Sequence, residues 1–281
     1  MILQVFDVEH GACAIVQGPN NALAMIDCGH NDTSGWRPST HLQYALRRRQ
    51  LEYLLISNVD QDHISDLENL LGSGVAVHHV LTNYRVAPEH VRLIKQISGP
   101  LTGDAEAYLR MRTAMTTGQP GVPFDQGMGG VTVRSYGNSF PDFVSTNDLS
   151  SVYFLSYGTF KIVFPGDVEK AGWRRLLQDQ NFVNDLRSTT IYVASHHGRE
   201  SGYCEEVFRH LSPQAVVISD KSIAHDTQLV DHRRVVNGNG VNVQTGTGRA
   251  SVRQVLTTRS DGHITFNVQL NGQYGVSTSS G

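Results

Sequence analysis

Short apolar runs recur along the chain and are separated by turn-forming glycine, asparagine and aspartate. Runs of this kind are typical of β-strands, whereas apolar positions at helical spacing indicate helices. The pattern predicts strands at residues 1–8, 13–17, 22–27, 51–56, 75–81, 130–136, 151–157, 160–164, 189–194, 215–219, 241–245, 252–257 and 263–268. It predicts helices at residues 39–49, 63–72, 87–97, 104–115, 169–178, 203–210 and 226–236. Strands with interspersed helices indicate an α/β protein with packed sheets covered by helices.

The strand and helix pattern continues without a stretch of linker-like composition. We therefore predict a single domain over residues 1–270. The residues that follow, 271–281, are mostly small and polar and predict a flexible C-terminal tail. Within the domain, residues 117–130 are rich in glycine and proline and predict a loop.

The composition is that of a folded protein with a sizeable core. Of the 281 residues, 39% are hydrophobic and 17% are charged, which excludes a disordered chain. The net charge of −3 gives no general sign of nucleic-acid binding, although a local basic patch is enough for it. The three cysteines lack CxxC spacing and favour a reducing compartment. With no targeting segment and no apolar run of bilayer length, we predict a cytoplasmic protein without membrane association.

The loop at residues 57–63, with the sequence SNVDQDH, directly follows an apolar run. Its candidate metal ligands are Asn58, Asp60, Asp62 and His63. Carboxylates gathered in one short loop repel each other unless a cation offsets their charge. The alternative is an ordinary structural role, with Asp62 capping a helix and Asp60 occupying a turn.

Three further predicted strands end in residues that can bind metal or move protons. Gly166 and Asp167 follow one strand, His196 and His197 follow the next, and His225 comes after a third. Each position also has an ordinary alternative as a turn, an exposed loop or a helix cap. Active sites collect where loops leave one end of the strands, so four such strand ends together favour one metal centre.

The order of the segments SNVDQDH, FPGDV and SHHG, followed by a late histidine, resembles the metallo-β-lactamase superfamily. Within that superfamily it is most similar to the branch that contains the ComEC-type competence nuclease domain. The opening DVEHGACAIV and the segment MIDCG also resemble this branch. The similarity covers about residues 1–270. It implies an αββα sandwich of two mixed sheets flanked by helices.

The resemblance also implies metal ligands. It assigns one ion to a set of four residues: Asp62, His63, Asp167 and His196. Asp167 would bridge to another ion served by Asn58 and Asp60, and Asp27 would support the site. The chain departs from the family pattern at Asn58, which replaces a histidine. A second expected histidine, between His63 and Asp167, is not evident.

An oxygen-rich ligand set favours hard ions, so we expect one or two divalent ions, Zn²⁺ or Mn²⁺, with Mg²⁺ as a further candidate. A bound ion lowers the pKa of its water and so supplies a nucleophile. We predict that Asp62 or Asp60 orients this water and that His225 or His197 protonates the leaving oxygen. Arg199, directly after the paired histidines, is predicted to contact the substrate together with His225.

The function that follows is a metal-dependent hydrolase that uses a metal-activated water. The resemblance favours a phosphodiesterase or nuclease, whose partner is a phosphodiester substrate such as nucleic acid. One alternative is a hydrolase of a small molecule: a cyclic nucleotide, a lactone or another ester. Another is a degenerate, non-catalytic binding or signalling subunit, which the asparagine at position 58 suggests.

Overall fold

Two mixed β-sheets form the centre of the molecule. The structure, a computed structural model, describes residues 1–115, 123–221 and 228–280. Strands numbered in chain order form a nine-stranded sheet, which contains, from edge to edge, β12 (Ala250–Arg253), β11 (Val241–Gln244), β15 (Tyr274–Thr278), β14 (Ile264–Val268), β1 (Ile2–Val5), β2 (Ala14–Gln17), β3 (Leu23–Ile26), β4 (Gln50–Leu55) and β5 (Ala76–Leu81). A six-stranded sheet contains β13 (Val255–Thr257), β10 (Ala215–Ile218), β9 (Ile191–Val193), β8 (Phe160–Phe164), β7 (Ser151–Tyr157) and β6 (Thr132–Gly137).

Helices connect and flank the strands of these sheets. They are α1 (Pro38–Thr40), α2 (Gln61–Ile64), α3 (Leu67–Gly72), α4 (Pro88–Ile97), α5 (Gly103–Met115), α6 (Phe124–Gly127), α7 (Lys170–Leu176), α8 (Gln180–Arg187), α9 (Leu229–Arg234) and α10 (Thr258–Asp261). A π-helical turn, His41–Ala45, continues α1, and 3₁₀ turns occupy Ser195–Gly198 and Glu205–Arg209. Among the described residues, no helix combines the length and apolarity needed to cross a bilayer.

Three apolar cores hold four layers together. In β8, Phe160, Ile162 and Phe164 point into the core between the sheets, whereas Val163 points to the outer face. This alternation is the period of two expected of a strand. The outer face of the six-stranded sheet packs against Trp173 of α7 and neighbouring helical residues. The helices α3 to α5 cover the other sheet in the same way, so the predicted αββα sandwich is confirmed.

The prediction of a flexible tail over residues 271–281 is wrong in its middle part, which is a strand. Residues Tyr274–Thr278 form β15, which lies between β14 and β11 inside the nine-stranded sheet. Val276 and Thr278 are only 5% and 6% exposed, and Val276 pairs with Phe266. The polar composition concealed this strand because only alternate positions of a half-buried strand need to be apolar.

Other elements differ from the predicted ones in their boundaries. The predicted strand 252–257 is two strands, β12 and β13, which belong to different sheets. The predicted helix 63–72 is divided into α2 and α3, and the predicted helix 203–210 is a short 3₁₀ turn. Helix α8 was not predicted. The predicted loop 117–130 contains α6, and its first part lies outside the described residues.

The strand directions bring five loops to one region. Strands β3, β4 and β5 are parallel to one another, and so are β8, β9 and β10. Parallel strands end at the same edge of a sheet, where α/β proteins bind their ligands. Asp27 follows β3 and the loop 57–63 follows β4, while Asp167, His197 and Ser219 follow β8, β9 and β10.

Candidate metal centre

Four side chains at this edge converge on one point. Asp62, His63, Asp167 and His197 each offer one donor atom, and the four atoms lie within 4.8 Å of one another. His63 Nε2 is 3.0 Å from Asp167 Oδ1. His197 Nε2 is 3.1 Å from Asp62 Oδ2 and 3.5 Å from Asp167 Oδ1. The Asp62 side chain is 32% exposed, so the cluster opens to solvent on its side.

The imidazole of His63 is oriented by a carboxylate behind it. Asp27 Oδ2 lies 2.9 Å from His63 Nδ1 and 2.5 Å from Ser57 Oγ. The backbone nitrogen of Ser57 donates to Asp27 Oδ1 at 2.7 Å. A carboxylate that accepts from one ring nitrogen directs the lone pair of the other towards a metal. This contact agrees with the supporting position that the resemblance implies for Asp27.

His197 has the same arrangement with a different acceptor. Its Nδ1 donates to the backbone oxygen of Ser219 at 3.1 Å, which turns Nε2 towards the carboxylates. This Nε2 atom is buried and has no well-aligned hydrogen-bond partner among the described residues. Buried polar atoms are rarely left without partners. A metal ion is a partner that accepts such a nitrogen lone pair.

Two glycines allow the backbone to approach Asp62 closely. A Cβ atom at Gly11 or Gly29 would lie 2.6 or 2.4 Å from the Asp62 carbonyl oxygen. The same oxygen accepts from the backbone nitrogen of Ala12 at 3.2 Å. Larger residues would push the loop 57–63 away from the sheet, so these glycines help to position the cluster.

The charges in the cluster shift the pKa values of its members. Burial by itself lowers the pKa of His63, but the carboxylates of Asp167 and Asp27 outweigh burial and hold this pKa well above its usual range. Burial likewise raises the pKa of Asp167, but His63 and His197 outweigh it and the pKa is lowered. In the ion-free protein, a proton on His63 therefore offsets part of the negative charge. A divalent cation would replace that proton.

The residues fit a divalent metal ion. Two carboxylate oxygens and two imidazole nitrogens, three of them on buried side chains, form a mixed oxygen and nitrogen set. Zn²⁺ and Mn²⁺ both accept such a set. The cluster could thus bind one metal ion.

The expectation that His196 belongs to the metal ligands is corrected. Its Nε2 is 4.0 Å from Asp167 Oδ2 and accepts from Arg199 Nη1 at 3.0 Å, while its Nδ1 lies 2.9 Å from Ser201 Oγ. Its neighbour His197 takes the place in the cluster. Both histidines have left-handed backbone angles, with φ of 49° and 54°, which turn the two rings to different sides. Residue order alone does not reveal which ring points inward.

Asn58 and Asp60 also lie outside the cluster, which corrects their expected role as metal ligands. Asp60 Oδ1 accepts from Lys95 Nζ at 2.7 Å, and Oδ2 accepts from Thr146 Oγ1 at 2.8 Å. The buried Asn58 accepts from the backbone nitrogen of Asp60 at 3.1 Å. Lys95 and Thr146 carry no signal in the sequence, because they lie 35 and 86 residues from Asp60.

Arg199 lies at the rim of the cluster, and His225 lies outside the described residues. The guanidinium of Arg199 contacts the imidazoles of His196 and His10. Its Nε is buried without a partner, and within the described part of the chain it forms no ion pair with a carboxylate. His10, whose ring packs 4.5 Å from that of His197, was not predicted as a site residue. Arg199 therefore brings a positive charge to the rim of the metal cluster.

The two mixed sheets, the flanking helices and the Asp/His cluster at the strand ends form the architecture that the resemblance to the metallo-β-lactamase superfamily implied. In sequence, the chain is 24% identical over 239 residues to ComE operon protein 3 of Bacillus subtilis (strain 168). The match covers 77% of this chain but only 28% of that relative. No family model matches the chain.

Solved structures with a similar outline differ in their described chemistry. The metallo-β-lactamase fold protein YhfI from Bacillus subtilis is 13% identical, with 85% of this chain and 95% of that chain covered at a TM-score of 0.46. A diphosphatase from the PhnP family is 10% identical, with 97% and 100% covered at 0.47. CmlA, a diiron β-hydroxylase from Streptomyces venezuelae, is 12% identical, with 78% and 44% covered at 0.40. At these identities, the described chemistry of the three proteins does not transfer to this chain.

Proposed function

We propose that this protein is a metal-dependent hydrolase that cleaves a phosphodiester, including those of nucleic acids. The observation that carries the proposal is the cluster of Asp62, His63, Asp167 and His197 beside Arg199. The cluster provides ligands for a divalent ion, and the arginine provides hydrogen-bond donors and a positive charge for an anionic substrate. The finer choice of a nuclease rests on the resemblance to the competence branch and is an analogy.

The four cluster residues would hold the ion. When bound, a divalent ion supplies a water of lowered pKa and a positive charge for a phosphoryl oxygen. His63 and His197 keep their Nε2 atoms directed inward through Asp27 and the Ser219 carbonyl. Asp62 is the ligand most exposed to solvent, so it is the residue we propose to accept a proton from an attacking water.

Arg199 would bind the substrate. A guanidinium presents its donors in a planar fork that matches two oxygens of a phosphate. Its partners, His196 and His10, are imidazoles, and among the described residues no carboxylate forms an ion pair with Arg199. A diester phosphate next to the cluster would thus lie between the bound divalent ion and the guanidinium of Arg199.

Hydrolysis assays with Mn²⁺, Zn²⁺ or Mg²⁺ test the proposal, using linear DNA, RNA, cyclic nucleotides and lactones. We expect cleavage of a phosphodiester by the wild type and none by Asp167→Asn. Cleavage of lactones alone would favour the small-ester alternative instead. If no substrate is cleaved with any of these ions, the proposal is contradicted and the non-catalytic alternative is favoured.

A further inference from the structure

Asp60 lies in the same loop as Asp62 and His63, yet a side chain of the protein neutralises it. We propose that the Lys95 ammonium takes the place of a second cation at Asp60, so that the centre binds one divalent ion rather than two. This inference rests on the proposed metal-dependent function. It concerns the number of ions and what offsets the charge of Asp60.

Both carboxylate oxygens of Asp60 have partners. Lys95 Nζ donates to Oδ1 at 2.7 Å, and Thr146 Oγ1 donates to Oδ2 at 2.8 Å. The side chains of Lys95 and Asp60 are 22% and 28% exposed, so the pair is sheltered from most of the solvent. An ion at Asp60 would have to displace a charged partner that α4 already holds in place.

The polar atoms of the Asn58 side chain also form hydrogen bonds within the protein. It is 2% exposed, its Oδ1 accepts from the Asp60 backbone nitrogen at 3.1 Å, and its Nδ2 donates to Asn147 Oδ1 at 3.3 Å. A neutral amide is a weak ligand for Zn²⁺ compared with imidazole, carboxylate or thiolate. Asn58 therefore offers little to offset the loss of the Lys95 contact.

The ammonium also opposes a second ion by charge. A divalent cation at Asp60 would lie within a few ångströms of Lys95 Nζ, where two positive charges repel strongly in a partly buried site. By contrast, among the described residues the ion pairs of Asp62 and Asp167 are all with histidines, and Arg199 at the rim contacts imidazoles rather than these carboxylates. The loop 57–63 therefore has one half prepared for a metal ion and one half closed by an ion pair.

Metal analysis of the full-length protein tests the proposal. Wild type, Asp60→Asn and Asp167→Asn would be dialysed against Mn²⁺ and, separately, Zn²⁺, and the metal content measured by mass spectrometry. We expect one ion per chain for wild type and for Asp60→Asn, and none for Asp167→Asn. Two ions in wild type, or loss of the ion in Asp60→Asn, would overturn the inference. No ion in wild type would overturn the proposed function along with it.

A double-mutant cycle in the metal-free protein tests the ion pair itself. The variants are Lys95→Met, Asp60→Asn and the double variant, with folding checked by circular dichroism and stability measured by urea denaturation. We expect the two losses to be non-additive, because either change alone breaks the same pair. The control is Lys170→Met with Glu200→Gln, an exposed pair at 3.2 Å for which we expect near-additivity. Additive losses at Lys95 and Asp60 would contradict the inference.

Discussion

The two halves of the loop 57–63 contain similar residues but have different partners. Asp62 and His63 face Asp167 and His197, which are themselves metal ligands by type. Asp60, two residues earlier, faces the ammonium of Lys95. From the sequence alone, Asp60 and Asp62 are both candidate metal ligands. What separates them is which distant element packs against each half: the ends of β8 and β9 in one case, helix α4 in the other.

The different partners of Asp62 and Asp60 determine whether each carboxylate can bind a metal ion. Near Asp62, the surrounding groups are two imidazoles and a second carboxylate, which together form a ligand set for a cation. Near Asp60, the cation is already part of the chain. We therefore expect substitutions in the first half to change ion binding, and substitutions in the second half to change stability.

The largest contrast should be between Asp167→Asn and Asp60→Asn. Asp167 contacts both His63 and His197, so its loss removes a ligand and the group that links the two imidazoles. We expect ion affinity to fall by more than about 100-fold, beyond the usual effect of losing an outer partner. Asp60→Asn should change it by less than about threefold. Isothermal titration calorimetry with Mn²⁺ measures both, and equal losses would remove the distinction between the halves.

Removing the support behind His63 should have the next largest effect. Asp27→Asn keeps the shape of the side chain but replaces the charged acceptor of His63 Nδ1. We expect ion affinity to fall by about 10- to 100-fold, as is typical for outer partners of metal-bound histidines. The control is Asp66→Asn, a buried carboxylate that accepts from Arg37 and the Ser39 backbone. Equal affinities for wild type and Asp27→Asn would show that this carboxylate does not act through His63.

The ion affinity should rise with pH through the neutral range. Because Asp167 and Asp27 raise the pKa of His63 above its usual range, the ion-free site retains a proton that must leave when an ion binds. Below that pKa, affinity should therefore rise about tenfold per pH unit for each proton released, and above it the dependence should flatten. Calorimetry in buffers of different ionisation enthalpy counts the released protons. A flat profile from pH 6 to 8 would contradict this assignment.

The smallest expected effect is on the side of Asp60. Thr146→Val removes the hydroxyl that donates to Asp60 Oδ2 while keeping the volume. We expect a loss of about 1 kcal/mol in the free energy of unfolding, as for a partly exposed hydrogen bond, with ion affinity unchanged. Thr132→Val, an exposed position in β6, is the control for the substitution itself. A weaker ion affinity in Thr146→Val would mean that this half does contribute to the metal site.

Much of the fold followed from the sequence because buried strands have a strong local signal. The apolar run Phe160–Phe164 is followed by Gly166 and Asp167. The structure places both the strand and the loop where the pattern indicated. β15 was missed because glycine, serine and threonine occupy three of its five positions, so it lacks an apolar run. The split between β12 and β13 is a change of sheet, which apolar periodicity does not encode.

The site was less accessible to sequence reasoning because its details depend on long-range packing. The pattern singled out Asp62, His63 and Asp167, since each follows an apolar strand. It did not distinguish His197 from His196, whose inward and outward directions are set by two left-handed residues in succession. It also gave no sign of Lys95, because a lysine on a predicted helix is most often solvated.

The central claim is that Asp62, His63, Asp167 and His197 hold a divalent ion. Anomalous diffraction from crystals grown with Mn²⁺ or Zn²⁺ tests it most directly. We expect one peak per chain within about 2.0–2.3 Å of the Nε2 atoms of His63 and His197, and no peak between Asn58 and Asp60. A peak bound by His196 in place of His197, or a protein saturated with metal that shows no peak at this cluster, would contradict it.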